Sequence, residues 1–344
     1  MSKKGSLNLY TYLESIVNDN ILPGIVISIV RKNSREIFFT GKIDKENAVS
    51  AETIYDLASV TKVVGTTTAI LRLIEDGYFN LNTKIKDLLP RYKHNSTVED
   101  FLTHQSGLPA DDKEYRNCKN KDEFIDFIYK LDLVYIPNEK VVYSDFGFNL
   151  LGLIIEKFKG NIDEYLQNTV FKPLQMVSTS YYPKSLNQEL IAPTELHPDR
   201  GLIKAEVMDG KAFLLAGLSG NAGMFSNVND LSNFTSMILT NGEFLSQKIL
   251  NPETVILLKK SYTDNLDVNR TLGWAKKDDS FSQGSLSGNN IIYHTGFSGP
   301  MMLIDFDNEI GIVCLTNRTF PSRNEKRIIE ERNTLIDNIY KYLK

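Results

Sequence analysis

The chain has 344 residues, 42% of them hydrophobic and 24% charged, with a formal net charge of −4 at pH 7. These values suit a globular protein with a sizeable core, and they leave no basic footprint for nucleic acid. Its two cysteines, Cys118 and Cys314, lie far apart and read as isolated thiols, so no disulfide framework is expected.

Lys3 and Lys4 are followed by no apolar run, so no signal peptide is expected at this N-terminus. The strongest apolar run, Ile25 to Val30, is far too short to cross a bilayer. The expectation is a soluble chain without a transmembrane segment, cytoplasmic unless an export leader has been trimmed; the sequence does not fix the compartment.

In chain order, Leu9, Leu13, Ile16 and Val17 recur at helical spacing after Ser6, read as a cap, and Pro23-Gly24 stops that helix. Strands are expected over Ile25 to Val30 and Glu36 to Thr40, joined by the polar turn Lys32-Asn33-Ser34. After Ser59, the residues Val63, Ala69, Ile70, Leu73 and Ile74 predict a buried helix ending at Gly77. Helical segments follow at Thr97 to Leu102, Lys121 to Leu131, Phe146 to Phe158 and Asp230 to Asn241. Strands return at Ile291 to His294, Met301 to Asp305 and Ile310 to Leu315. A last helix carries Ile328, Leu335, Ile336, Ile339 and Leu343 on one face.

Strands at both ends with helices between them predict an α+β fold. One antiparallel sheet from the N- and C-terminal segments is flanked by helices and interrupted by a mostly helical insertion. The chain reads as a single unit over 1–344, with sheet-containing regions at 1–58 and 205–344 and a mostly helical region at 59–204.

Ser59-Val60-Thr61-Lys62 puts an amine one helical turn from a serine hydroxyl. A free serine is a poor nucleophile and needs such a neighbour, yet this spacing arises by chance about once or twice in a chain of this length. Val63-Val64 follows directly, however, so Lys62 lies between positions that read as buried, and a buried lysine needs a partner. Tyr143-Ser144-Asp145 and His294-Thr295-Gly296 supply candidates, the latter at the end of a strand where substrate could lie along the backbone. Taken singly, Tyr143 reads as core and His294 as a satisfied strand histidine. Trp274 reads as a wall or core residue, Asn221 and Gly223 as loop-shaping, His104 as a backbone-bonding residue and Asp56 as a helix-start residue. The four histidines show no ligand spacing, so neither metal nor cofactor is expected.

In this order, the three stretches resemble the motifs of the penicillin-recognising serine hydrolases: class C β-lactamases, D-alanyl-D-alanine carboxypeptidases and related esterases. Supporting phrases are Tyr55 to Ala58, Leu102 to Pro109, Gly220 to Ser226 and Leu315 to Arg318. The resemblance implies a β-lactamase/transpeptidase-like fold. It implies an acyl-enzyme on Ser59, with Lys62 and Tyr143 as a coupled acid–base pair. It implies an oxyanion hole from the backbone N–H groups of Ser59 and Phe297, and substrate contacts from Asp145, His294, Thr295 and Gly296. The expected partner is a small-molecule or peptide substrate with an ester, amide or β-lactam carbonyl.

Two positions depart from the class C pattern. His294 stands where those enzymes carry lysine, which makes a fixed charge conditional on pH. Asp145 stands where they carry asparagine; an ionised Asp cannot donate to a substrate carbonyl, though it can pair with Lys62. The expectation is a D-Ala peptidase or esterase with weak or no β-lactamase activity. A true β-lactamase and an inactive binding or regulatory member of the fold are the alternatives.

Overall fold

The computed structural model describes residues 3–32 and 34–344, with side chains from residue 8 onward. Helix α1 (Lys3–Asn18) turns Leu9, Leu13 and Ile16 into the core. It begins at Lys3, so Ser6 lies within the helix and not at its cap, and the Ser6 side chain lies outside the described residues, as does Asn33 of the expected turn. Strands β1 (Gly24–Arg31) and β2 (Ser34–Gly41) pair as a hairpin.

The helical region contains α2 (Thr68–Glu75), α3 (Val98–Leu102), α4 (Lys121–Lys130) and α5 (Asp145–Lys159). Thr97 and Asp100 start α3 with reciprocal capping bonds. Next come the short α6 (Gly210–Leu214) and α7 (Val228–Leu239), the latter beginning two residues earlier than expected because the Asn227 side chain caps it. Strands β3 (Ile291–Thr295), β4 (Met301–Asp305) and β5 (Ile310–Leu315) precede α8 (Arg327–Leu343).

The five strands form one antiparallel sheet in the order β2-β1-β5-β4-β3. The two ends of the chain therefore meet in mid-sheet, with Val26 opposite Leu315 and Ile29 opposite Ile312. Successive side chains of a strand face opposite ways. Ile25, Ile27, Ile29, Ile312 and Cys314 thus pack with α1 and α8, while Val26, Val30, Val313 and Leu315 face α7 and join the core it shares with the helical region. Burial on both faces explains why β1 reads as an unbroken apolar run. The fold is α+β, as expected from the sequence.

Three elements converge where this sheet meets the helices. The turn of Ser59 precedes α2, α5 packs against the backbone that follows Lys62, and β3 ends beside Ser59. Cys118 is half-buried and Cys314 buried, both as free thiols. Among the described residues, no helix is long and apolar enough to cross a membrane.

Candidate active site

Ser59 sits on a braced and strained turn. Ala58, just before it, holds a φ of +45°, which is unfavourable for a residue with a Cβ. Asp56 pins that turn: its Oδ1 accepts the Ala58 N–H at 2.8 Å and its Oδ2 accepts the Met208 N–H at 2.9 Å. Its backbone carbonyl takes the Ser298 hydroxyl at 2.8 Å. Asp56 thus does more than start a helix. Burial raises its pKa to about 6.

From Ser59 the chain runs through a 3-10 turn (Ala58–Val60) and a π turn (Lys62–Thr67) into α2, so the expected helix begins in irregular form. The Lys62 side chain is wholly buried. Its ammonium donates to Ser59 Oγ at 3.0 Å and to the Asn221 carbonyl at 2.9 Å, and it meets Asp145 Oδ1 at 2.7 Å. Two N–H groups therefore have a hydrogen-bond acceptor, and the Asp145 carboxylate balances the charge as an ion pair. Burial pulls the Lys62 pKa down, but Asp145 and Tyr143 outweigh it and hold it above its ordinary value. Burial also opposes ionisation of Asp145, and Lys62 and Lys211 overcome it. The pair is ionic at neutral pH.

Asn221 does more than shape a loop: its carbonyl holds the Lys62 ammonium. Its side chain is fixed in turn, accepting from Asn149 at 2.8 Å and Ser219 at 2.7 Å and donating to Asp209 Oδ1 at 3.0 Å.

Tyr143 precedes α5, and its ring lies 4.9 Å from the Lys62 ammonium. His104 cradles it. The His104 carbonyl accepts the Val142 N–H at 2.8 Å, its Nδ1 accepts the Ser144 N–H at 3.1 Å, and its ring lies 4.4 Å from the Tyr143 ring. The reading of His104 as a backbone-bonding residue holds.

His294 is buried, and its Nδ1 donates to the Thr295 carbonyl at 3.0 Å, since a carbonyl can only accept. Burial, then Lys62 and Arg270, push its pKa well below the usual histidine range. It is neutral at pH 7. The second positive charge next to Tyr143, besides Lys62, is Arg270, whose guanidinium lies 5.4 Å from the Tyr143 ring and makes no ion pair among the described residues. Burial lowers the Arg270 pKa to about 10, which leaves it charged. The sequence reading missed Arg270, and it also missed Lys211, whose ammonium lies 3.1 Å from Asp145 Oδ2. Both stand beside apolar residues (Leu272 and Trp274; Ala212 and Leu214), the one sequence signal that could have marked them as buried.

Gly296 passes against the Ser59 turn: a Cβ there would lie 2.5 Å from the Leu57 carbonyl oxygen. Trp274 is core and lies edge-on to His294. The backbone N–H groups of Ser59 and Phe297 donate to no backbone carbonyl among the described residues.

Ser59 and Asp145 line two adjoining cavities. One, of about 560 Å³, adds Tyr143, Arg270, His294, Thr295, Arg318 and Arg332. The other, of about 1010 Å³, adds Asp111, Tyr115, Glu195, Arg200, Lys211 and Arg323. All eight residues singled out in the sequence meet here: Ser59, Asp145, Tyr143, His294, Thr295, Gly296 and Phe297 line the first cavity, and Lys62 lies buried behind Ser59.

The model of a family described as Beta-lactamase matches residues 12–335. An Escherichia coli (strain K12) protein named "Putative D-alanyl-D-alanine carboxypeptidase" is 30% identical over 319 residues, covering 81% of this chain and 73% of that protein. An "N-acetylmuramyl-L-alanine amidase" of Bacillus subtilis (strain 168) is 31% identical over 306 residues, covering 78% of this chain and 69% of that one. Among solved structures, "EstCE1, a hydrolase with promiscuous acyltransferase activity", superposes with a TM-score of 0.76 at 19% identity, over 96% of this chain and 98% of its own.

Proposed function

This chain is a hydrolase of the beta-lactamase family, and from that premise we propose that all of 1–344 serves one site, in which Ser59 forms an acyl-enzyme. The observation that carries this reading is the Lys62 ammonium, 3.0 Å from Ser59 Oγ and held there by Asp145 and Asn221. Because Asp145 keeps Lys62 charged, Tyr143 is the base. It takes the proton as Ser59 Oγ attacks the substrate carbonyl carbon, flanked by the Lys62 and Arg270 cations while it does so. The N–H groups of Ser59 and Phe297 hold the oxyanion, a role in which one donor is typically worth about 3 kcal/mol. Tyr143 then returns the proton to the leaving group, and water releases the acyl group from Ser59.

The leaving group must depart where Tyr143 can reach it, in the smaller cavity. Arg270, Arg318 and Arg332 line that cavity and make no ion pair with a carboxylate among the described residues, which favours a leaving group that carries one. His294, Thr295 and Gly296 form the substrate-facing wall. A neutral His294, and an Asp145 that cannot donate, both argue against efficient β-lactam turnover. The reading is therefore a D-Ala peptidase or an esterase with weak or no β-lactamase activity. An inactive binding protein is disfavoured by the intact contact between Ser59 and Lys62.

The test is a steady-state panel of nitrocefin, a D-Ala-D-Ala peptide and short p-nitrophenyl esters. Turnover of the peptide or the esters well above nitrocefin is expected; nitrocefin turnover at the level of an efficient β-lactamase would overturn the reading.

A further inference from the structure

Lys211 lies on α6, whose start is fixed by Asp209: its Oδ1 accepts the Ala212 N–H at 2.8 Å and an Asn221 side-chain N–H at 3.0 Å. The Lys211 ammonium is buried, 3.1 Å from Asp145 Oδ2 and 3.1 Å from Asp111 Oδ1, with the Tyr115 ring 4.9 Å away. Two carboxylates and an aromatic face offset the cost of burying this charge. An ammonium has three N–H groups, and two are taken. The third meets no protein oxygen among the described residues, and Lys211 lines the larger of the two cavities that share Ser59.

Asp145 cannot donate a hydrogen bond to substrate. It is ionised, accepts only, and its two oxygens face Lys62 and Lys211. The acyl arm of a substrate has its own side of the site. With the leaving group beside Tyr143 in the smaller cavity, the acyl group lies in the larger one, which Tyr143 does not line.

Building on Ser59 as nucleophile, we propose that Lys211 is a specificity-determining residue: its free N–H binds an oxygen acceptor, an amide carbonyl or a carboxylate, on the acyl arm of the substrate. Asp145 and Lys211 together then do what an asparagine does alone, one accepting from Lys62 and the other donating to substrate.

The experiment compares kcat/KM for three p-nitrophenyl esters of matched length: N-acetylglycinate, hydrogen glutarate and pentanoate. In Lys211→Met, the preference for the first two over pentanoate should fall on the order of tenfold relative to the parent protein, the worth of a hydrogen bond from a charged donor. Lys211→Arg should restore part of it. Lys211→Gln retains an N–H donor without the charge, so it should keep preference for the amide and lose it for the carboxylate; it also serves if Lys211→Met does not fold. An unchanged preference in these variants would overturn the assignment. Each variant is also checked by mass spectrometry for an adduct on Ser59. Unchanged preference with that adduct refutes Lys211 alone, whereas absence of the adduct from the parent protein refutes the nucleophile.

Discussion

At Asp145 a carboxylate stands between two buried ammonium groups, 2.7 Å from Lys62 and 3.1 Å from Lys211. Removing Lys62 leaves Asp145 with Lys211 as its counter-charge but strips Ser59 of its neighbour. Lys62→Met should therefore lower kcat/KM for every ester on the order of 10³-fold, while circular dichroism shows a retained fold. His294 gives a second prediction. Its pKa lies well below the usual range in the fold, whereas in the unfolded chain it takes a proton below a pH of about 6.5. It thus contributes stability that is present above that pH and is lost on acidification. Asp56 and Asp230 act in the opposite sense, since burial raises both to about 6, so the informative quantity is a difference. The melting temperature of His294→Gln should gain on that of the parent protein as pH falls from 7 towards 5; a constant gap would contradict a neutral, buried His294. At this scale the meeting of Ser59, Lys62 and Tyr143 was legible because three motifs occur in order. Arg270 and Lys211 were not: a lone cation belongs to no motif, and only the fold makes it a neighbour of Tyr143 or Asp145.

The segment that carries Ser59 starts irregularly. It runs from a left-handed Ala58 through 3-10 and π turns before α2 becomes regular. Apolar periodicity reveals the buried face of α2 but says nothing of such a start, since Lys62–Thr67 is buried on every side and shows no polar face that would set a period. The hairpin at Glu195–His197 and Gly201–Ile203 escaped notice for a different reason: its Leu196 and Leu202 point to solvent, so no buried alternation marks it. The five long strands were all legible, four as runs of buried residues and the half-exposed β2 by its Ile37-Phe38-Phe39 run after the turn. Gly296 connects β3 to the Ser59 turn by close approach, with no room for a Cβ beside the Leu57 carbonyl. Gly296→Ala should displace one wall of the site, and a misplacement of about 1 Å is enough for a hundredfold loss in kcat/KM. Equal activity in that variant would show that the approach does not position the chemistry.

Over the whole molecule, the formal charge of −4 conceals a cavity ringed by Arg270, Arg318 and Arg332. Composition excluded a basic surface for nucleic acid, but it cannot report a local cluster inside an acidic chain. Attraction of a carboxylate-bearing leaving group by these cations should weaken with salt. The kcat/KM for such a substrate is expected to fall from low ionic strength to about 1 M, where the Debye length is about 3 Å, with much less change for a neutral ester. The sheet, built from both ends of the chain, was legible from where the strands lie; the two cavities emerge only when β3, α5 and α6 meet at Ser59. Intact mass spectrometry with peptide mapping after exposure to a fluorophosphonate tests the central claim most directly. One adduct on the peptide containing Ser59, lost in Ser59→Ala, is the predicted result; an adduct elsewhere, or one that persists in Ser59→Ala, would contradict it.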